Sequence, residues 1–405
     1  MLILPLINSK WNAIRHRTLI VTRYLLGSLL LTVLVACSIA SPPETATPKA
    51  TQERPVQQVD RLPTQTPRLS GQLGSEINQY LLSNYPLFSG SILVALDDQI
   101  LLSGGYRYAN WELNVPNTSS TIFRLASLTK PFTALAIMML QEHDKLDVDD
   151  PICQYIADCP AAWQPITIHH LLTHTSGIPD YTAFPDALHE AALNRPVPEL
   201  IDTFRDQPLD FLPGTRFNYS NSGYVLLGAI IESVSRTSYE KFMLNNIFQP
   251  LFMEDSGYDN TSRIIKNRAS GYTVDGRTLE NSAFISPSNL YSAGGLYSTT
   301  EDLHRWLQAL LTNQWVSQTT LDQIFSPQVA AEKYGAEYGY GWVVSETQGH
   351  RVFWDDGTIP GFTNYFAYYP DDRLDIIILS NLDTSDVPAM AKGIENIILH
   401  QGDVE

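Results

Sequence analysis

The chain has 405 residues, of which 44% are hydrophobic and 17% charged, and its formal net charge is −17 at neutral pH. An acidic excess of this size argues against nucleic-acid binding and against a polybasic membrane-binding patch. The length is sufficient for a large buried core in addition to non-globular segments.

The N-terminal residues 1–36 predict a signal peptide of the lipoprotein type. They contain four basic residues and no acidic ones, and the apolar stretch 24–36 is too short to span a bilayer comfortably. The sequence Leu34-Val-Ala-Cys37 resembles a bacterial lipobox, in which the cysteine is lipidated and becomes the first residue. An ordinary signal peptide and an uncleaved anchor are the alternatives. We expect an exported protein in the periplasm or cell envelope, anchored to the membrane through a lipid on Cys37.

Residues 37–70 predict a disordered tether. The stretch 41–70 is rich in Pro, Thr and Gln and has no apolar periodicity. A tether of this kind would let a folded domain, residues 71–405, stand off the membrane.

Strand patterns lie at both ends of the folded domain. Two apolar runs, 90–96 and 99–104, flank Asp97-Asp98 and predict a β-hairpin. Four further strands are predicted at 341–347, 351–354, 364–369 and 374–380, and a helix follows at 387–400. The predicted fold class is therefore α+β, with one antiparallel sheet built from both chain ends, flanking helices and an inserted, mostly helical subdomain.

The apolar stretch 123–140 predicts a buried helix with a serine at its start. From Ser127 onward its only charged residue is Lys130. Pro131 is tolerated only in the first turn of a helix, which places Ser127 at the N-terminus and Lys130 one turn later on the same face. A buried lysine tends to lose its proton, and a neutral lysine beside a serine is a general base beside a nucleophile. Ser127-Leu-Thr-Lys130 is therefore interpreted as the S-x-x-K element of serine acyl transfer.

The S-x-x-K pattern recurs at Ser238-Tyr-Glu-Lys241. There Thr237-Ser-Tyr-Glu240 is interpreted as a capping box that opens the helix 239–248, so we expect Ser238 to be structural. A second capping box is predicted at 298–301, before a helix that ends near Leu311.

Tyr219 and Asn221 lie on a polar loop between a Pro-Gly turn and an apolar helix, and such a loop can direct a phenol and an amide at a reaction centre. Cys153 and Cys159 predict a disulfide that requires a turn between them, because an exported protein meets an oxidising compartment.

His170 and His174, four residues apart, could hold a metal. No Glu stands between them and no third ligand is evident. We therefore expect structural hydrogen bonds near the end of a helix capped by Gly177, and no metal.

Five segments together resemble the serine β-lactamase-like hydrolases, which include class C β-lactamases, D-alanyl-D-alanine carboxypeptidases and related esterases. The similarity covers roughly residues 75–400 and rests on Ser127-Leu-Thr-Lys130, Leu171-Leu-Thr-His-Thr-Ser-Gly177, Tyr219-Ser-Asn221, Ala293-Gly-Gly-Leu296 and Asp355-Asp-Gly-Thr-Ile-Pro-Gly361.

The resemblance implies an acyl-enzyme mechanism without metal or cofactor. Ser127 would be the nucleophile, Lys130 its base, and Tyr219 the residue that passes a proton to the leaving group. Asn221 would hydrogen-bond the acyl side of the substrate. The backbone N–H groups of Ser127 and of Thr358, on an edge strand of the sheet, would form the oxyanion hole.

The third motif departs from the family pattern, which usually begins with Lys or His. Alignment on Gly357 places Asp355 in that position, and an acid there cannot bind a substrate carboxylate and tends to raise the pKa of the tyrosine. Asp356 would point to the opposite face of the strand. Arg351, on the same face as Asp355, is an alternative source of positive charge.

Three functional hypotheses follow. The first is an extracytoplasmic serine hydrolase that acts on a neutral ester, amide or peptide. The second is a D-alanyl-D-alanine carboxypeptidase, or penicillin-binding protein, that acts on a peptidoglycan-type substrate through another cation. The third is a catalytically weak, wall-binding relative.

Overall fold

The computed structural model describes residues 66–185, 187–312 and 316–399. The predicted signal peptide, Cys37, most of the predicted tether and His400 lie outside these residues. The strands are β1 Arg68–Leu69, β2 Gly90–Leu96, β3 Gln99–Tyr106, β4 Tyr108–Asn110, β5 Val115–Pro116, β6 Phe123–Arg124, β7 Gly257–Tyr258, β8 Tyr272–Asp275, β9 Thr278–Asn281, β10 Leu296–Ser298, β11 Val329–Ala331, β12 Ala336–Tyr338, β13 Val343–Thr347, β14 His350–Ile359, β15 Phe362–Tyr369 and β16 Leu374–Ser380.

The helices alternate with short 3-10 turns, one of which, Ala126–Leu128, carries the candidate nucleophile. The α-helices are α1 Gly71–Asn84, α2 Thr129–Glu142, α3 Ile168–Leu172, α4 Ala187–Glu190, α5 Val197–Arg205, α6 Asn221–Ser235, α7 Tyr239–Met243, α8 Tyr291–Gly294, α9 Thr300–Leu311, α10 Gln318–Phe325 and α11 Val387–Leu399. Within the described residues, no helix is both long enough and apolar enough to cross a membrane.

A nine-stranded antiparallel sheet unites the two ends of the chain. Its order is β1-β3-β2-β16-β15-β14-β13-β12-β11, and β16 pairs with β2 so that Ile377 lies opposite Leu93. Helices α2 to α10 fall between β6 and β11, which is the mostly helical insertion that the sequence predicts. The α+β class and the sheet built from both chain ends are confirmed. Strand β1 lies within the predicted tether, so the ordered chain begins earlier than expected.

Both faces of the central sheet are covered by helices. Along β16, Ile376 and Ile378 pack towards α1 and α11, whereas Ile377 and Leu379 join the core that contains α2, α6 and α9. This alternation follows from the two-residue period of a strand, and it explains why every residue of β16 is buried. Helix α2 is likewise buried from Thr129 to Leu140, so the site at its start rests on a rigid element.

Several local predictions were displaced by a few residues. The side chain that caps α7 belongs to Ser238 rather than Thr237, and the one that caps α9 belongs to Thr299 rather than Ser298. Helix α3 ends at Leu172, so His174 lies outside it and Gly177 does not cap it. At the starts of α7 and α9 the hydrogen bond to a free backbone N–H decides which residue caps the helix, and neighbouring Ser and Thr residues compete for it.

Candidate active site

The candidate nucleophile lies on a strained turn. Ser127 is half-buried in the 3-10 turn Ala126–Leu128, directly before α2. Ala126 has a φ of 51°, in the left-handed region that residues with a side chain rarely adopt. The turn is tied to β10 by the hydrogen bond from Leu125 N to Leu296 O, at 2.9 Å. The nucleophile is therefore held by backbone contacts on a rigid support.

Lys130 is fully buried beneath the serine. Its Nζ lies 3.0 Å from Ser127 Oγ, 2.9 Å from Asn221 Oδ1 and 2.9 Å from the carbonyl oxygen of Ala293. Burial lowers the pKa of the Lys130 ammonium to about 8, against the opposing effect of the carboxyl groups of Asp355, Asp180 and Asp356. A substantial fraction of Lys130 is therefore neutral near pH 8.

The contacts of Lys130 define the direction of proton transfer. A neutral amine has two N–H donors and one lone pair. Lys130 Nζ can donate one N–H to Asn221 Oδ1 and the other to the carbonyl oxygen of Ala293. The remaining lone pair then faces Ser127 Oγ, and the serine hydroxyl donates to it. This is the arrangement that a general base requires.

Tyr219 completes the contacts of the serine oxygen. Its hydroxyl donates to Ser127 Oγ at 2.8 Å, and its ring lies 4.8 Å from Lys130 Nζ. Desolvation, reinforced by Asp355, raises the pKa of the Tyr219 phenol well above its ordinary value. The phenol is therefore protonated and can only pass on a proton that it regains from a neighbour.

His174 supports the ring of Tyr219. The two rings stack with their centroids 4.4 Å apart, and Ser220 N donates to His174 Nδ1 at 3.1 Å. Burial lowers the pKa of the His174 imidazole well below its ordinary value, so the ring is neutral and carries its proton on Nε2, 3.3 Å from Tyr338 Oη. His174 is buried and positions the tyrosine.

The two histidines that the sequence offers as metal ligands make separate contacts, since His170 Nδ1 accepts a hydrogen bond from Thr167 N at 3.1 Å. In the part of the chain that the structure describes, no group of three or more His, Cys, Asp or Glu side chains has a metal-binding arrangement.

Asn221 joins Lys130 to a carboxylate. Its Nδ2 lies 3.3 Å from both oxygens of Asp180 and 3.1 Å from Thr182 Oγ1, while its Oδ1 accepts from Lys130. Both the oxygen and the nitrogen of the Asn221 side-chain amide are therefore held by hydrogen bonds at the start of α6. The predicted contact with the acyl side of a substrate stays a prediction.

The third motif lies on β14, directly against the nucleophile turn. Strand β14 is an interior strand, so the prediction of an edge strand was wrong for β14 as a whole. The neighbouring strand β13 pairs with β14 only from His350 to Trp354. Beyond Trp354, the edge of β14 that faces away from β15 is not paired with β13. A Cβ on Gly357 would lie 2.3 Å from Leu125 O and 3.0 Å from Ser127 N, so only glycine permits this approach. Thr358 follows Gly357 on β14, and the predicted role of its backbone N–H in the oxyanion hole stays a prediction.

Asn364 fixes this approach from the neighbouring strand. It is buried on β15, and its Nδ2 donates to the carbonyl oxygens of Arg124 and Leu125 at 3.0 and 3.1 Å. One side chain thus ties the sheet to the backbone that leads into Ser127.

Asp355 is buried and lacks a hydrogen-bond partner for its Oδ2 among the described residues. Burial, together with the charge of Asp356, raises the pKa of the Asp355 carboxyl well above its ordinary value. The suggestion that Arg351 supplies the missing positive charge was wrong, because its guanidinium is exposed and pairs with Asp371 at 2.8 Å. The cations near Asp355 are Lys130 and Lys333. Lys333 Nζ lies 4.9 Å from the centroid of the Tyr219 ring.

Comparisons with known proteins show which family the chain is related to. A family model described as Beta-lactamase matches residues 81–398. The chain belongs to the beta-lactamase family. It is 33% identical over 337 residues to penicillin-binding protein 4* of Bacillus subtilis, which covers 78% of this chain and 73% of that protein. The resemblance inferred from the five segments is therefore confirmed.

Solved structures of penicillin-binding proteins share the fold. The penicillin-binding protein of Bacillus halodurans superposes with a TM-score of 0.72 at 29% identity and covers 79% of this chain and 99% of its own. The octameric penicillin-binding protein homologue of Pyrococcus abyssi also gives 0.72, at 30% identity, with 80% of this chain and 77% of its own covered. The chain is thus a beta-lactamase-fold member of a family of serine hydrolases.

The predicted cysteine pair is joined in the structure. Cys153 and Cys159 form a disulfide with their Cα atoms 5.3 Å apart. Cys153 lies in the 3-10 turn Ile152–Gln154, and the turn and bend residues 155–158 change the direction of the chain before Cys159. The disulfide lies on the helical insertion and contributes no group to the site.

Sequence reasoning missed four contributors to the site, Asp180, Lys333, Asn364 and the ring of His174 in its role beneath Tyr219. Asn364 carried a usable signal, because it is a polar residue between Phe362 and Phe366 on an inward-facing register of a strand. The other three reach the site only through tertiary contacts.

Proposed function

We propose that the protein is an extracytoplasmic serine hydrolase that forms an acyl-enzyme on Ser127 and cleaves ester, amide or peptide bonds. The observation that carries the proposal is the position of Ser127 Oγ, 3.0 Å from Lys130 Nζ and 2.8 Å from Tyr219 Oη. A serine between a buried amine of lowered pKa and a protonated phenol has both a base and a proton donor within hydrogen-bond distance.

Acylation begins when Ser127 Oγ attacks the carbonyl carbon and its proton passes to the neutral amine of Lys130. The N–H groups of Ser127 and Thr358 stabilise the oxyanion. The bond to the leaving group then breaks, and the leaving group takes a proton from Tyr219, which regains one from the Lys130 ammonium. In the second half of the reaction, water attacks the carbonyl carbon of the acyl-enzyme and gives a proton to Lys130. The bond to Ser127 Oγ then breaks, Ser127 Oγ takes up a proton from Lys130, and the acid is released.

The leaving-group side of the site favours neutral groups. Tyr219, the proton donor to the leaving group, lines a cleft of 730 Å³ with Asp180 and Lys333. Asp355 occupies the position that a family member normally gives to a cation, and Asp356 follows it on the opposite strand face. Arg351 of β14 is exposed and paired with Asp371, and the charge of Lys333 in the cleft is opposed by Asp355 and Asp356. We therefore expect slow hydrolysis of short neutral esters and little activity on penicillins or D-Ala-D-Ala peptides.

A panel of substrates tests the proposal. Wild type should show a burst and steady turnover with p-nitrophenyl esters of short acids, and Ser127→Ala should abolish both. Asp355→His and Asp355→Lys should raise kcat/KM for a chromogenic cephalosporin relative to that for a neutral ester. Efficient hydrolysis of the cephalosporin by wild type, or a ratio that does not move, would contradict the assignment of Asp355.

A second candidate is a D-alanyl-D-alanine carboxypeptidase of cell-wall metabolism. The similarity to penicillin-binding protein 4* supports it. Release of D-alanine from a muropeptide at a rate above that of neutral ester hydrolysis would favour this candidate. Acylation without turnover on every substrate would indicate the catalytically weak, wall-binding alternative.

The location of the protein is part of the proposal. Export and lipid attachment at Cys37 are inferred from residues 1–37, which lie outside the described part of the chain. The disulfide between Cys153 and Cys159 supports an oxidising compartment, because cytosolic thiols are normally kept reduced.

A further inference from the structure

A cavity of 510 Å³ lies where β6 and the end of β14 meet the loop after β7. Its wall includes Arg124, Arg268, Asp259, Phe284 and Pro360. The mechanism described above uses none of these side chains. We call this cavity the Arg124–Arg268 pocket.

The Arg124–Arg268 pocket has an excess of positive charge. Both guanidinium groups bind the same carboxylate, since Arg124 Nε lies 2.7 Å from Asp259 Oδ2 and Arg268 Nη1 lies 2.7 Å from Asp259 Oδ1. Asp259 is buried and is the only acidic residue in the described wall of the pocket. Two cations therefore share one anion, in a chain whose formal net charge is −17.

Arg268 has donors available for a ligand. Its side chain is 33% exposed, and within the described residues its only side-chain hydrogen bond goes to Asp259. A guanidinium has five N–H donors in a planar fork that suits a carboxylate. Phe284, 55% exposed, lies at the rim, and its ring is 5.7 Å from the guanidinium carbon of Arg124. The pocket thus combines a cationic floor with an apolar edge.

The chain places this pocket close to Ser127. Arg124 precedes Ser127 by three residues, so their Cα atoms are at most about 10 Å apart. On β14 the carboxyl group of Asp355 raises the pKa of Lys130 and of Tyr219. Pro360, directly after the end of β14, lines the pocket. With the leaving group at the Tyr219 end, the part of the acyl group beyond its predicted contact with Asn221 would extend along β14 towards Pro360.

We propose that the Arg124–Arg268 pocket binds a carboxylate on the acyl part of the substrate. The proposal rests on the acyl-enzyme function of Ser127 and narrows the substrate class to esters or amides of an acid that bears a second, remote carboxylate. The end of the site near Tyr219 would therefore select an uncharged leaving group. The Arg124–Arg268 pocket would select a negatively charged acyl group.

Matched esters test the proposal. One series consists of p-nitrophenyl monoesters of linear dicarboxylic acids with four to eight carbons, and the other of p-nitrophenyl esters of monocarboxylic acids of the same lengths. Wild type should prefer the anionic series by about tenfold in kcat/KM at the best length, the size expected for a charge-assisted hydrogen bond. Arg268→Gln should remove most of this preference, chiefly through KM, and Arg268→Lys should keep part of it. High salt should weaken the preference in wild type.

Arg351→Gln is the matched control, because Arg351 also pairs with a single aspartate but lies on the surface away from the pocket. It should leave the preference unchanged. Neutral esters cleaved with no preference for the anionic series, or a preference that survives Arg268→Gln, would overturn this inference alone. Absence of any Ser127-dependent turnover would overturn the proposed function and this inference together.

Discussion

The pH dependence of acylation follows from the environment of Lys130. Burial lowers the pKa of the ammonium to about 8, and only the neutral amine can take the proton of Ser127. About one half of the molecules carry the neutral amine at pH 8, about one tenth at pH 7 and about one hundredth at pH 6. The rate of acylation should therefore fall about fiftyfold from pH 8 to pH 6.

The assay is kcat/KM for an uncharged p-nitrophenyl ester between pH 5.5 and 9.5, read at the isosbestic wavelength of nitrophenol. The profile should show one acid limb centred near pH 8 and no loss up to pH 9.5, because the pKa of Tyr219 is raised well above its ordinary value. Asp355→Asn should move the limb to lower pH, since Asp355 raises the pKa of Lys130. A profile that is flat from pH 6 to pH 8, or an acid limb that persists in Lys130→Ala, would refute the assignment of the base.

Three further predictions concern separate parts of the molecule. Gly357→Ala should reduce acylation by about 10²–10³-fold, because its Cβ would displace the turn that carries the predicted oxyanion donor; Gly223→Ala, whose Cβ meets nothing closer than 3.5 Å, is the control, and equal losses in both variants would argue against a local effect. Cys153 and Cys159 should resist alkylation until a reductant is added, and immediate modification of both thiols would contradict the disulfide. Intact mass of the membrane-bound protein should show a chain that starts at a lipidated Cys37, and Cys37→Ser should release or misprocess it; cleavage elsewhere without acyl groups would disprove the lipoprotein assignment.

Much of the fold could be predicted because its signals are local. The apolar run of β16 and the hairpin β2–β3 have strand patterns that need no tertiary information, and their pairing follows from placing both chain ends in one sheet. The edge position of β14 was wrong because β13, which corresponds to the predicted strand 341–347, pairs with the first half of β14. The strand pattern predicts that both strands exist, but it does not determine which strands are neighbours in the sheet.

The site divides in the same way. Ser127 and Lys130 share one helical turn, so their spacing is enough to bring them together. Tyr219 could be recognised from its loop, but the stacking of His174 beneath it depends on a residue 45 positions away in the chain. The raised pKa of the Asp355 carboxyl could not be foreseen, because it is a consequence of complete burial rather than of sequence position.

The most direct test of the central claim is the identity of the acylated residue. A fluorophosphonate probe should add one label to the protein, and peptide mapping by mass spectrometry should place it on Ser127. Labelling should disappear in Ser127→Ala and slow by about 10²–10⁴-fold in Lys130→Ala, since a positioned base contributes that much. A label on any other residue, or one that survives Ser127→Ala, would contradict the account.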